Sequence, residues 1–226
     1  MTIRPFQSDQ ELLKLSRAFV RVLVQNFRKD IRICLTAERD DRRNRKRPSR
    51  SHAYFPALMT SIAFADFLSG LYAGKLEGHG LKELKAYATK FMNRSNYGSP
   101  ELNILYQMFR HKLAHLGYLP AVFDTATKPT KFVGPPFRRI TWIVYARRRK
   151  RPIEIEDFTT QRYLKKRKHY PSWDVPYNCI VRISVKHFQT DIIKSIYGHS
   201  GYLRALEVDP IMQHHFAACM RVYFPP

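Results

Sequence analysis

The chain has 226 residues, 44% of them hydrophobic, enough for a sizeable core in one or two domains. Lys and Arg number 40 against 18 Asp and Glu, and the formal charge of +22 points to polyanionic partners. Three cysteines at wide spacings, Cys34, Cys179 and Cys219, argue against a disulfide framework and for reduced thiols in a cytoplasmic setting, and no stretch reads as a signal peptide.

Leu12, Leu15, Phe19, Leu23, Phe27 and Ile31 recur at three- and four-residue spacings, which predicts a helix from Ser8 to about Glu38. Alternation around Val20-Arg21-Val22 and Ile31-Arg32-Ile33 keeps a strand open as the alternative. Arg39, Arg42, Arg43, Arg45, Lys46, Arg47 and Arg50 then face only Asp40 and Asp41, in a stretch that reads as an exposed linker. A second helix is expected from Tyr54 to Ala73. It is nearly long enough to span a bilayer, but Pro56, Asp66, Ser69 and Gly70 interrupt it, so it reads as a buried bundle helix, with no membrane association. Gly74 and Gly78-His79-Gly80 end it. Leu81 to Met92 form a third helix. Ser99 as cap and Pro100 in the first turn open a fourth, which Gly117 stops.

Past Tyr118 the texture changes. Three runs rich in β-branched and aromatic residues, at 140–146, 153–158 and 179–186, predict a small antiparallel sheet or hairpin, inserted over residues 119–186 of one helical domain. The basic run Arg147, Arg148, Arg149, Lys150 and Arg151 is placed at its tip, and Lys165 to Lys168 form a third basic cluster. Helical patterns return at 187–197 and 209–223. Each basic cluster fits phosphate binding, which is salt-sensitive and independent of sequence, and also fits a solvated loop.

The fourth helix carries the chemistry. At ~100° per residue, Leu102, Leu105, Tyr106, Phe109, Leu113 and Leu116 share one apolar stripe. Asn103, Gln107, Arg110, His111, Ala114 and His115 fall on the other face, with Arg110 and His115 ~140° apart on its shoulders. Asp66 is a carboxylate inside an apolar helix, costly unless paired, and Arg110 is the partner to test. The bland alternative is a solvated basic face and an exposed Asp at a helix edge. His79, His199, His214 and His215 fall into no pattern and read as surface or helix-edge residues. His111 and His115 also stand at the i, i+4 spacing of two metal ligands, but no Glu follows His111 and no Cys pair accompanies them, so neither metal nor cofactor is expected.

Arg110 and His115, following Leu105-Tyr106 and Phe109 and with Leu113-Ala114 just ahead of the His, resemble the R-x(4–6)-H signature of the HEPN superfamily. The likeness covers roughly residues 8 to 118, four helical segments. It implies an up-and-down helical bundle, a homodimer whose cleft faces two Arg-His pairs, and metal-independent cleavage of RNA. Some members of that family are toxins in which a Tyr two residues after the His is adenylylated by an antitoxin partner. Here Tyr118 stands three after His115, so that regulation does not carry over by position, and the setting, whether toxin, antiphage defence or RNA processing, stays open.

The chemistry also follows from the residue types. RNA carries its own nucleophile, the 2′-hydroxyl. Cleavage therefore needs a group to take its proton, a fixed cation on the phosphorane and a proton for the leaving 5′-oxygen. His115 suits the proton transfers, Arg110 the clamp, and His111 a supporting contact to phosphate or to Arg110. Two rivals share the same charge: a nucleic-acid-binding protein that does not cleave, and an interaction module for an acidic protein.

Overall fold

Helix α1 (Asp9–Arg43) opens on a reciprocal cap. The Ser8 amide donates to Glu11 Oε2 at 3.2 Å and the Glu11 amide donates to Ser8 Oγ at 3.3 Å. The computed structural model describes residues 8–43, 54–111, 122–124, 139–157, 168–170 and 175–223. Leu12, Val20, Val24, Phe27 and Ile31 form the buried stripe of α1, while Val22 and Ile33 face solvent, so the alternating stretches are helical and the strand alternative falls. The helix runs five residues past the expected end, through Arg39, Arg42 and Arg43. This corrects the linker reading for that part, because nothing before Pro48 breaks a helix. Arg45, Lys46, Arg47 and Arg50 lie outside the described residues.

Helix α2 (Tyr54–Ala73) is the axis of the molecule. It packs against α1, α3 (Leu81–Phe91), the helical segment at 105–111, and the C-terminal helices α5 (Val185–Tyr197) and α7 (Pro210–Tyr223). Being surrounded explains why it is apolar on most sides. Its hydroxyls turn inward on their own backbone: Ser61 Oγ donates to the Ala57 carbonyl at 2.8 Å and Ser69 Oγ to that of Asp66 at 2.6 Å. No helix among the described residues is long and apolar enough to cross a membrane. Gly74, at φ +75°, ends α2, and the Lys75 amide returns to the Gly70 carbonyl at 3.0 Å, the bond of a left-handed C-terminal cap. A Cβ at Gly74 would also lie 2.8 Å from the His215 ring, so α7 can approach only because no side chain is there.

The protein is mainly helical with a small sheet. Strands β1 (Val122–Asp124), β2 (Arg139–Tyr145), β3 (Ile153–Asp157) and β6 (Cys179–Ser184) make one sheet in the order β1-β2-β6-β3, and β4 (Lys168–Tyr170) pairs with β5 (Val175–Tyr177) alone. The expected antiparallel sheet is corrected to a mixed one: β2 runs parallel to β6, while β1 and β3 pair antiparallel with their neighbours. The reason lies in β6, where Cys179, Ile180, Val181 and Ile183 are all buried. A strand apolar on both faces belongs in the interior of a sheet, so it inserts between β2 and β3. Residues 146–152 are therefore a crossover over the end of β6 and not the tip of a hairpin.

Ser184 ends β6 and caps α5, its Oγ accepting from the His187 amide at 3.3 Å, which starts α5 two residues earlier than the sequence suggested. A short helix α6 (Tyr202–Val208) that the sequence reading missed precedes α7, and Asp209 caps α7 through the Ile211 amide at 3.0 Å and the Met212 amide at 3.2 Å. Tyr87 on α3 donates to Ser195 on α5 at 2.8 Å, since the Ser195 proton goes to the Ile192 carbonyl. Helices from before and after the sheet thus share one core.

Candidate functional site

Helix α4 (Ser99–Ile104) is capped by Gly98 and not by Ser99, with Pro100 in its first turn, and it passes directly into a π-helix, Leu105–His111. In a π-helix each amide reaches back five residues instead of four, so more residues fill a turn and the layout at ~100° per residue no longer holds. The burial follows. Leu105, Met108 and Phe109 are fully covered, although Met108 was not in the expected stripe, and Tyr106, which was, is half-buried. Asn103, expected on the polar face, is 2% exposed, and its Nδ2 finds no partner among the described residues. Phe109 meets Trp142 of β2 edge-on, with centroids 6.5 Å apart, so the segment is wedged between α2 and the sheet. Arg110 and His111 are placed by their backbone as its last two residues. His115 and Tyr118 lie outside the described residues.

On α2, Asp66 is buried, which removes the exposed-edge alternative, and its described partner is His79, Nε2 to Oδ2 at 3.3 Å. His79 was read as a surface residue, but both its ring nitrogens are closed to solvent. Its loop is held firmly. Glu83 accepts from the Gly80 amide at 2.9 Å and pairs with Lys75 at 2.9 Å, spanning the turn that contains His79. The Lys75 hydrogen bond first, with help from the Gly80 and Glu83 amides and against partial burial, pulls the Glu83 carboxyl down to about 2. A Cβ at Gly80 would come within 3.0 Å of the Tyr106 hydroxyl, so the turn touches the π-helix one residue away from His79. Asp66 is thus joined through His79 to a turn that touches the π-helix.

The crossover is the second built feature. Ser184 Oγ donates to the Arg147 carbonyl at 2.7 Å and accepts from the Arg149 amide at 3.3 Å, and the Ser184 amide donates to the Pro152 carbonyl at 2.8 Å. Arg149 forks onto Glu154 Oε2, Nε at 3.3 Å and Nη2 at 3.0 Å, with its guanidinium 4.4 Å from the centroid of the Tyr145 ring. Arg151 reaches the Ser95 carbonyl at 3.1 Å. From beneath, His187 Nδ1 donates to the Arg149 carbonyl at 2.9 Å, its Nε2 lies 3.7 Å from Asp191 Oδ2, and Tyr97 donates to the same Asp191 oxygen at 3.0 Å. Burial and the neighbouring Asp191 charge push the Tyr97 hydroxyl well above its ordinary range, so it stays a donor. The run that looked like a free basic tip is a braced loop in which Arg149 faces inward.

Sequence reasoning missed His79, His187, Asp191 and Tyr97: the i, i+4 pair His187–Asp191 went unremarked, and the bonds from His79 to Asp66, from His187 to Arg149 and from Tyr97 to Asp191 join separate elements. His215 is a fifth such case, half-buried and donating to the Tyr72 carbonyl at 2.8 Å. No group of three or more metal-ligating side chains gathers among the described residues, and Cys34, Cys179 and Cys219 are free thiols. Compared with protein-family models, curated proteins and solved structures, the chain matches none of them.

Proposed function

We propose that this protein is a metal-independent endoribonuclease built on a HEPN-like bundle. In this reading His115 moves protons to and from the 2′-hydroxyl and the leaving 5′-oxygen, and Arg110 binds the phosphorane oxygens. His111 supports the phosphate, and the Asp66–His79 pair fixes the ground on which the π-helix rests. The observation that carries the reading is the irregular backbone at Arg110 and His111. A π-helical turn forgoes regular α-helical bonding, such turns concentrate at functional sites, and this one ends on two residues suited to phosphate chemistry. The charge of +22 supports a polyanionic substrate.

A non-cleaving nucleic-acid binder is the second reading, favoured by the braced basic crossover, which needs no catalytic group beside it. One assay separates them. Incubated with mixed RNA, the parent should cleave, and Arg110→Ala and His115→Ala should each be slower by about a hundredfold or more. Parent protein that leaves RNA intact would leave the binding reading in place, and variants that cleave as the parent does would remove Arg110 and His115 from the site.

A further inference from the structure

We infer that the 146–152 crossover is a preset binding element for the phosphodiester backbone of nucleic acid, RNA under the proposed activity. Arg147, Arg148 and Lys150 contact the phosphates, while Arg149 and His187 hold the loop beneath them. Three observations carry this. First, the loop is fixed from the β6–α5 junction beneath it: Ser184 bonds its backbone three times, and His187 holds the Arg149 carbonyl at 2.9 Å. A loop that only needs to be solvated has no use for such bracing, whereas cations held in place lose less conformational freedom when a ligand arrives.

Second, the charges are divided by role. Arg149 is occupied by Glu154 and Tyr145, and Arg151 by the Ser95 carbonyl. Arg147, Arg148 and Lys150 are exposed and form no ion pair among the described residues. The nearby carboxylates are consumed, Glu154 by Arg149 and Glu156 by Arg182 at 2.5 Å. Third, the site is electrostatically unfavourable when empty. The loop lies over the start of α5, whose first turn holds no acidic residue, so like charges meet the positive pole of a helix and each other. A bound polyanion relieves both. Arg-rich composition suits phosphate oxygens, and since Arg149 covers Tyr145, that ring is not open for base stacking, so recognition is of the backbone and tolerant of sequence.

The inference deepens the proposed function but is tested by binding alone, so failure of cleavage and failure of this site remain distinguishable. The probe is a short fluorescein-labelled 2′-O-methyl oligouridylate, which lacks the nucleophile for cleavage, titrated by anisotropy across a salt series. A DNA oligomer and polyglutamate serve as comparison arms. Arg147→Ala/Arg148→Ala/Lys150→Ala should weaken binding about tenfold or more and reduce the slope of log affinity against log salt by about 2, three phosphates at roughly 0.7 each. His187→Asn keeps a donor in the place of Nδ1 and should bind as the parent does. His187→Leu should lower affinity with the parent's salt slope, because the same cations reach the phosphates from a looser loop. If the Leu variant does not fold, His187→Gln, with its donor displaced, takes its place. Unchanged affinity and slope in the triple variant would overturn the site. A polyglutamate affinity equal to that of the oligonucleotides would overturn its assignment to phosphodiesters, and a slope that falls in His187→Leu as far as in the triple variant would overturn the positioning role. Equal RNA and DNA affinity supports backbone recognition; binding by only one of the two would overturn it.

Discussion

His79 Nε2 stands 3.3 Å from Asp66 Oδ2, joining the middle of an apolar helix to the turn that follows it. Both residues are about nine-tenths buried, with side-chain exposures of 11% and 10%. Such pairs contribute little net stability, because desolvation offsets attraction, but removing one member takes a contact away from a buried polar group.

The expected consequence is a coupled response. His79→Leu should lower the unfolding free energy by about 1–3 kcal/mol, since a buried carboxylate loses its His79 contact. Asp66→Leu/His79→Leu should recover part of that loss, as apolar groups replace both buried polar side chains. Urea unfolding of the parent, the two single variants and the double variant gives the coupling directly. Strictly additive losses would mean that the two side chains act independently despite their closeness.

Glu83 makes the same turn acid-sensitive. Its carboxyl is held at about 2, chiefly by the Lys75 hydrogen bond, against an ordinary value of 4.5. A group whose folded value is depressed gives stability that is present above the unfolded value and lost as pH falls through the folded one. The contribution should therefore be full above about pH 5 and fade between about 4.5 and 2. Glu83→Gln should flatten the stability profile in that window, with a loss near neutrality of about 1 kcal/mol or less, because the Lys75 side of the pair is half exposed. A variant profile parallel to that of the parent from pH 6 down to 2 would remove Glu83 from the account.

Much of the helical framework was legible because it rests on local signals. The starts of α1 at Ser8 and of α7 at Asp209 and the end of α2 at Gly74 were expected, and at each the residue acts on its own neighbours. The sheet was legible as strands but not as topology, since the place of β6 between β2 and β3 depends on what covers its two faces. At the candidate site, the π-helix upset a layout that assumed α-helical spacing, burying Met108, while Asn103 is buried in the α-helical turn before it. The Asp66–His79 and Tyr97–Asp191 contacts were illegible for a further reason. His79 follows Asp66 by thirteen positions across a turn, and Tyr97 meets Asp191 from 94 residues away, distances over which no periodic pattern extends.

The nature of the products tests the reaction class. Attack by the 2′-hydroxyl leaves 2′,3′-cyclic phosphate ends, needs no divalent ion and cannot act on DNA. Cleavage should therefore persist in EDTA, and mass spectra of the fragments should carry the cyclic phosphate. Cutting of DNA, or cleavage that requires added divalent metal, would count against the mechanism and return attention to His111 and His115 as a ligand pair at i, i+4 spacing.

Assembly follows from what one helix can offer. Proton removal, leaving-group protonation and charge stabilisation call for several groups around one phosphate, whereas a single chain presents Arg110, His111 and His115 on a single segment. A two-fold interface doubles the set, since an isologous contact brings the same patch together from both copies. A homodimer with the two Arg110–His115 segments lining one groove is therefore expected. Mixing His115→Ala chains with Arg110→Ala chains should then restore part of the cleavage that each variant lacks, because a heterodimer can assemble Arg110 from one copy and His115 from the other. Sedimentation of the fully active parent as a monomer, or mixed variants that dimerise without regaining activity, would sink the composite site.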